Sequence, residues 1–216
     1  MELIKRYRLF SSVKQEWIYA FSVKGFIRKL IFFIAFGLVL LTFLRYYFQY
    51  LEVRNGSVLN DWLLDKLSPK NFSWNIFGLL YLSISVGFLY LFTKPFILIR
   101  ALETAAIVYS IRIITLYLVK LDPPAGIIPL VDPIANYFGF GGTLITKDLF
   151  FSGHTTSILI LFLAVKIPSL KMYFLIALIA IVVMLLWQHV HYSVDIIGAL
   201  FFTIAAWKIT GRHLKQ

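Results

Sequence analysis

The chain has 216 residues, of which 60% are hydrophobic and 14% are charged, and its mean hydropathy is +0.84. Soluble domains carry about 25% charged residues, so the composition excludes an ordinary soluble domain and predicts an integral membrane protein. The net charge of +11 does not indicate a nucleic-acid partner, because the basic residues lie at the ends of apolar runs and not along one polar helix face. The lack of cysteine excludes disulfides, thiolate metal ligands and a cysteine nucleophile.

Residues 1–29 form a basic leader in which aromatic side chains are interleaved with lysine and arginine. This composition favours an amphipathic segment lying on an anionic cytoplasmic leaflet, and a loosely ordered leader is the alternative. No small-residue cleavage site follows the first apolar run. We therefore expect that run to be retained as a membrane span.

Six apolar runs follow, and a bilayer is crossed by about 20 helical residues. The third run contains Arg100, Glu103 and Arg112, which must face the bundle or an interface and not lipid. The sequence thus predicts an all-α integral membrane protein, with a six-transmembrane-helix bundle forming one catalytic domain at residues 30–212. The predicted spans are 30–51, 71–93, 96–119, 149–165, 172–188 and 192–210.

The connection at 120–148 is long, carries no helical pattern and is rich in proline and glycine. Long connections of this kind are usually functional or disordered, and the apolar content of this one favours a packed cap over a site. If the amino terminus is cytoplasmic, about two thirds of the 21 Lys and Arg residues lie on the cytoplasmic side. We therefore predict that both termini are cytoplasmic and that the 120–148 loop is exoplasmic, on the periplasmic, extracellular or lumenal side.

Two short polar islands interrupt the apolar background at the same predicted leaflet, at residues 152–155 and 189–195. His191 and Asp195 are four residues apart, so on a helix they would share one face. A carboxylate behind an imidazole sets its tautomer and stabilises its cation, which predicts that His191 can act as a nucleophile. His154 would then supply a proton to a leaving oxygen, and Ser152 and Gly153 at a helix start would bind an anion such as phosphate.

Other interpretations fit the same residues. Either histidine can be a structural hydrogen-bonding group, and two histidines with one carboxylate can hold a metal. A further ligand would have to be His189, which would point away from His191 if one helix held both. We expect no metal and no other cofactor, and we interpret His189 and His213 as structural or interfacial.

The islands resemble the active-site motifs of the type 2 phosphatidic acid phosphatase superfamily, and of its sphingomyelin synthase-like branch in particular. The resemblance implies a six-span fold in which His191 is the nucleophile, Asp195 its partner and His154 the acid and base. The matching residues are Asp148-Leu149-Phe150-Phe151-Ser152-Gly153-His154-Thr155 and His191-Tyr192-Ser193-Val194-Asp195, with a looser match at Arg112, Thr115 and Leu121-Asp122-Pro123-Pro124.

Three departures from the superfamily's phosphatases also look like that branch. Met184 and Leu185 stand where the phosphatases have a Ser-Arg pair, Phe151 replaces a proline, and the first basic motif is absent. A phosphate monoester is nearly a dianion and needs several cationic donors, so losing them favours a phosphodiester substrate. Arg112 is then the candidate phosphate contact, unless it pairs with an acid inside the bundle.

These observations predict a lipid phosphotransferase that moves the head group of a choline or ethanolamine phosphatide to a lipid hydroxyl such as that of ceramide. A lipid phosphatase or phospholipase-C-like hydrolase is the alternative, and a non-enzymatic membrane scaffold is a third interpretation that the buried ionisable groups disfavour. Head-group recognition would depend on aromatic faces or on the acids Asp122, Asp132 and Asp148.

Overall fold

The computed structural model describes residues 2–132 and 144–211, with side chains described from residue 12 onward. These ranges are helical and contain no strand, and a single bridge pairs Ser57 with Leu121. A short 3-10 helix, Leu64–Lys66, lies in the connection before the third α-helix. The α-helices are α1 (Glu2–Ser22), α2 (Phe26–Glu52), α3 (Ser73–Phe92), α4 (Pro95–Leu118), α5 (Gly153–Ala164), α6 (Pro168–Trp187) and α7 (Ser193–Thr210).

Four of these helices, α2, α3, α6 and α7, are long and apolar enough to cross a membrane. They indicate a multi-pass membrane protein. Helix α4 is long enough as well, with 24 residues, but it carries the three charges predicted to face the bundle. Helix α5 has only 12 residues and is about 18 Å long, against a hydrocarbon core of about 30 Å. The count of six spans and the cytoplasmic termini therefore remain predictions.

The short α5 has a local cause. Residues 149–151 are apolar and were expected to be helical, yet α5 starts only at Gly153. The preceding carbonyls are bound from α4, since Thr115 Oγ1 donates to Phe150 O at 3.2 Å and Arg112 Nε donates to Phe151 O at 2.6 Å. Hydrogen bonds from a neighbouring helix thus replace the intrahelical ones in this segment, which is not helical.

Helix α5 lies at the centre of the bundle and packs against α3, α4, α6 and α7. The main hydrophobic core forms among α3, α5 and α6, where Ile76, Ile158, Phe174 and Ile181 are fully buried. Helix α2 is peripheral: it packs against α4, with Tyr47 donating a hydrogen bond to Ile113 O at 2.8 Å. Its other face is exposed over most of its length, as expected of a lipid-facing helix.

The leader is helical and lies at one end of the bundle. Trp17 Nε1 donates to Phe92 O at 2.8 Å, and Lys94 pairs with Glu16 at 3.2 Å. The start of α4 and the end of α7 meet there too, since Arg100 Nη2 donates to Trp207 O at 2.7 Å. Helices α5 and α7 both begin at the opposite end, so the two polar islands lie side by side.

Candidate active site

His191 and Asp195 form a hydrogen-bonded pair, with 3.1 Å between His191 Nδ1 and Asp195 Oδ2. The predicted proximity is present without a shared helix face, because α7 starts at Ser193 and His191 precedes its cap residue, Tyr192. Asp195 Oδ2 also accepts from Tyr192 N at 2.9 Å, which folds the chain back and places the ring on the carboxylate. The pair is buried, with 1% of His191 and 0% of Asp195 exposed.

His154, the second residue of α5, faces His191, and the two ring centroids are 6.3 Å apart with a 66° angle between the planes. The ring of Phe77 on α3 lies edge-on to His154 at 5.9 Å. His154 Nδ1 is enclosed and has no hydrogen-bond partner in the part of the chain that the structure describes. The three residues predicted to be catalytic are therefore in one place, and both histidines line the same cavity.

Ser152 caps α5 and joins the two islands. Its Oγ accepts from Thr155 N at 3.4 Å and from Thr155 Oγ1 at 3.1 Å, while its amide donates to Asp195 O at 3.2 Å. Ser152 is fully buried, and these contacts occupy its hydroxyl oxygen and its backbone amide. The first-turn amides of Gly153 and His154 are the ones left to bind an anion. Binding of substrate by Ser152 stays a prediction.

Arg112 lies beneath the start of α5 and is 3% exposed. Its Nη2 pairs with Asp148, and its Nε donates to Phe151 O at 2.6 Å. One interpretation of Arg112 was an ion pair with an acid inside the bundle, and the structure contains such a pair. A Cβ on Gly153 would lie 3.2 Å from Arg112 Cζ, and the glycine therefore allows the guanidinium to pack against the helix start. Phosphate binding by Arg112, Asp148 and Gly153 stays a prediction.

Two neighbouring cavities meet at His154. One, of about 220 Å³, is lined by both histidines, by Asp132 and Asp148, and by apolar side chains. The other is an open cleft of about 430 Å³ beside α2 that carries Arg112 and Gly153 at its polar end. Both cavities combine charged side chains with a mostly apolar lining, which fits an amphipathic ligand such as a phospholipid. The apolar residues of the cleft are Leu40, Leu41, Leu44, Phe48 and Leu80.

The connection between α2 and α3 holds the His191 segment from outside. Asp61 accepts from Ser193 N at 2.6 Å and from Ser193 Oγ at 3.1 Å, and thus acts as a cap for α7. Burial raises the pKa of Asp61, but the hydrogen bonds from Ser193 and from the amides of Leu63 and Leu64 together outweigh it and bring the pKa below its usual value. Tyr192 extends the contact by donating from its hydroxyl to Asp122 O at 2.9 Å.

The segment that precedes α5 is fixed by Lys147, whose Nζ lies 2.7 Å from Asp122 Oδ1. The hydrogen bond from Lys147 holds the pKa of Asp122 below its usual value. Asp61 and Lys147 were not predicted to support the site, and Tyr192 was noted only as part of the second motif. No local pattern marks Asp61, since Asp61 and Ser193 are 132 residues apart in the chain and meet only in the folded protein.

His189 makes its contacts away from His154 and His191. Its backbone is left-handed, with φ of 56°, and its ring nitrogens lie 2.8 Å from Ala125 O and 3.1 Å from Leu67 O. Across residues 12–132 and 144–211 the structure contains no group of three His, Asp or Glu side chains that could hold a metal. His213 and most of the second half of the 120–148 loop, from 133 to 143, lie outside the described residues.

Residues 147–212, about a third of the chain, match a family model described as PAP2 superfamily C-terminal. No curated protein and no solved structure matches the chain. The matched range contains both polar islands and supports the resemblance to the type 2 phosphatidic acid phosphatase superfamily. It supports an enzyme with lipid-phosphatase-type activity, whereas the sphingomyelin synthase-like branch remains a prediction.

Proposed function

We propose that this protein is a phospholipid head-group phosphotransferase, similar to sphingomyelin synthases, that acts through a phosphohistidine-type intermediate. The observation that carries the proposal is the buried His191–Asp195 pair facing His154 across a cavity that joins an apolar cleft. Nδ1 of His191 is held by the carboxylate, so the lone pair of Nε2 is the one available for attack. No other described cluster combines a nucleophile, an acid and anion-binding amides.

In the first half of the reaction, His191 Nε2 attacks the phosphorus of a phosphodiester lipid. The bond between phosphorus and the diacylglycerol oxygen breaks, and protonated His154 gives its proton to that oxygen. Diacylglycerol leaves, and the head-group phosphate stays on His191. Asp195 stabilises the positive charge that the imidazole carries in this state.

In the second half, the neutral His154 takes the proton from the hydroxyl of a lipid acceptor such as ceramide. The acceptor oxygen attacks the phosphorus, the nitrogen–phosphorus bond breaks, and His191 is regenerated. Donor and acceptor reach the site through the cleft beside α2. Under the predicted orientation, both half-reactions take place at the exoplasmic leaflet.

The basic side chain at the site favours a phosphodiester substrate. Arg112 is the cation that lies at the helix start, and Asp148 already offsets its charge. A phosphodiester carries one negative charge and a monoester almost two, so this site suits the diester better. The first-turn amides of α5 supply the remaining donors.

Hydrolysis is the second candidate, and the match to the PAP2 superfamily C-terminal model favours it. The same two steps give a lipid phosphatase or phospholipase-C-like enzyme if water takes the place of the lipid acceptor. The phospholipase-C-like reaction differs from the transfer in the second half-reaction alone, whereas a lipid phosphatase would also take a monoester as its donor.

The two activities separate in one assay. Purified protein in vesicles receives phosphatidylcholine or phosphatidylethanolamine labelled in the head group, with and without ceramide. We expect labelled ceramide product only when ceramide is present, and label released solely as free head-group phosphate would instead establish the hydrolase. His191→Ala should abolish both activities, whereas His213→Ala, a matched histidine change outside the motifs, should not. Loss of turnover in a chelator, with recovery on adding a divalent ion, would contradict the metal-free mechanism.

A further inference from the structure

Tyr109 and Ser157 form a pair of hydroxyl groups in the wall of the cleft beside α2. Tyr109 lies on α4 and Ser157 on α5, and their oxygen atoms are 2.8 Å apart. Both residues line the cleft, and neither is fully buried. The proposed reaction gives neither hydroxyl a role.

This pair can accept a hydrogen bond from a ligand but has no hydrogen left to donate. Ser157 Oγ lies 3.0 Å from Gly153 O, and the Tyr109 hydroxyl lies 3.4 Å from the same carbonyl. Of the two hydroxyl hydrogens, one joins the pair and the other goes to Gly153 O, whichever residue donates to which. No other donor within residues 12–132 and 144–211 binds these hydroxyls. Oxygen lone pairs therefore remain for a ligand in the cleft.

The pair lies one helical turn from the reacting groups. Ser157 follows His154 by three residues on α5, and Tyr109 precedes Arg112 by three residues on α4, so each shares a helix face with a residue of the site. Three residues advance an α-helix by about 4.5 Å. A lipid whose reactive oxygen lies at His154 and whose chains follow the cleft therefore has the atoms next to that oxygen beside the pair.

The lipids of the proposed reaction differ at those atoms. In ceramide, the carbon next to the one that bears the reactive hydroxyl carries an amide nitrogen with a hydrogen. In diacylglycerol, the corresponding carbon carries an ester oxygen. An ester accepts hydrogen bonds and cannot donate one, so it forms none with a pair that only accepts, whereas an amide N–H does.

We propose that the Tyr109–Ser157 pair accepts a hydrogen bond from the amide N–H of the acceptor lipid and so selects an amide lipid such as ceramide over diacylglycerol. This inference rests on the proposed transfer and narrows it to one chemical class of acceptor. The diacylglycerol released in the first half-reaction then competes poorly with the amide lipid for the head group. Tyr109 acts on the choice of acceptor and takes no part in bond breaking.

The test compares acceptors in Tyr109→Phe, which keeps the ring and removes the hydroxyl. Vesicles contain phosphatidylcholine labelled in the head group, with either ceramide or a diacylglycerol of distinguishable chain length as the acceptor. The ratio of kcat/KM for ceramide to that for diacylglycerol should fall about 3- to 10-fold, the effect of losing one neutral hydrogen bond. If the hydroxyl only holds α4 against α5, both values should fall equally, and that result would overturn the subsite. Tyr46→Phe, a matched change at an exposed tyrosine of α2, should leave the ratio unchanged.

A ceramide methylated on its amide nitrogen tests the hydrogen bond itself. With the unaltered protein it should be a poorer acceptor than ceramide, and in Tyr109→Phe the two should become nearly equal. A difference of the same size in the variant would assign the effect to the bulk of the methyl group and contradict the role of Tyr109.

A binding experiment removes the dependence on turnover. In His191→Ala protein, a short-chain ceramide should raise the thermal unfolding midpoint more than its N-methyl analogue does, and adding Tyr109→Phe should remove that difference. If no lipid receives a head group but this pattern is seen, the proposed transfer fails and the amide subsite stands. If head groups are transferred and Tyr109→Phe changes neither the acceptor ratio nor the binding difference, the reaction stands and the subsite is overturned.

Discussion

Replacing Asp195 with asparagine tests the charge at the centre of the proposed mechanism. Asp195 Oδ2 accepts from both His191 Nδ1 and Tyr192 N, at 3.1 and 2.9 Å. An asparagine with its carbonyl oxygen in the same place can accept both hydrogen bonds. The ring orientation, its tautomer and the cap of α7 are then preserved, and the negative charge alone is lost.

The size of the effect follows from the geometry. A unit charge about 4 Å from the charged imidazole contributes about 4 kcal/mol at an effective dielectric constant of 20. This energy stabilises the cationic phosphohistidine and the transition states that lead to it, and not the neutral ring of the free enzyme. We therefore expect Asp195→Asn to lower kcat/KM by about 10³-fold. Asp195→Ala should lower kcat/KM further and should also cost about 1 kcal/mol of stability through the lost cap.

The assay is head-group transfer in vesicles at a donor concentration well below KM, with thermal unfolding measured on the same preparations. Asp65→Asn serves as the control for removing an acid that is exposed. An Asp195→Asn enzyme that folds normally and keeps kcat/KM within tenfold of the wild type would refute the role of the charge. A large loss accompanied by a fall in the unfolding midpoint would instead assign Asp195 a structural role.

Three further predictions address the remaining parts of the site. His154→Ala should slow the turnover of a phospholipid about 10²- to 10⁴-fold. It should slow the turnover of a nitrophenyl phosphodiester much less, because nitrophenolate leaves without needing a proton. Equal losses of activity on the two substrates would contradict the role of His154 as an acid. Arg112→Gln should lower the free energy of unfolding by about 2 kcal/mol, because it leaves Asp148 unpaired. Arg45→Gln, on the exposed face of α2, is the control. Equal unfolding curves for the two variants would argue against the ion pair. Because the folded pKa of Asp61 is lowered, its stabilisation is present above about pH 4 and is lost as the pH falls through the folded value. The difference in stability between wild type and Asp61→Asn should therefore be clear at pH 7 and should close in acid, and a difference that persists in strong acid would exclude the carboxylate as its source.

The long apolar helices were predictable because the hydropathy of the sequence alone marks where they begin and end. The second predicted span, 71–93, corresponds to α3 at Ser73–Phe92, and the fifth and sixth agree with α6 and α7 to within a few residues. Proline at the first position of α4 and of α6 marks where each helix begins, since proline fits the first turn and disfavours helix before it.

The fourth span shows where hydropathy fails. Leu149, Phe150 and Phe151 are as apolar as the helix that follows, yet they precede it as a non-helical segment with bends at Phe150 and Phe151. Their conformation depends on Arg112 and Thr115, which donate to their carbonyls from a different helix. Hydropathy measures the side chains and contains no information about which groups satisfy the backbone.

The membrane setting, the two polar islands and the pairing of His191 with Asp195 could be predicted from the sequence, because composition, the lengths of apolar runs and close spacing are local properties. How that pair is made depends on the folded protein, where the cap of α7 and not one helix face brings the two residues together. Only the folded protein shows that Arg112 pairs with Asp148, that Asp61 caps α7 and that Tyr81 donates a hydrogen bond to Asp132. These contacts join residues from 36 to 132 positions apart, and they exist only because packing of the helices brings the loops together at one end of the bundle.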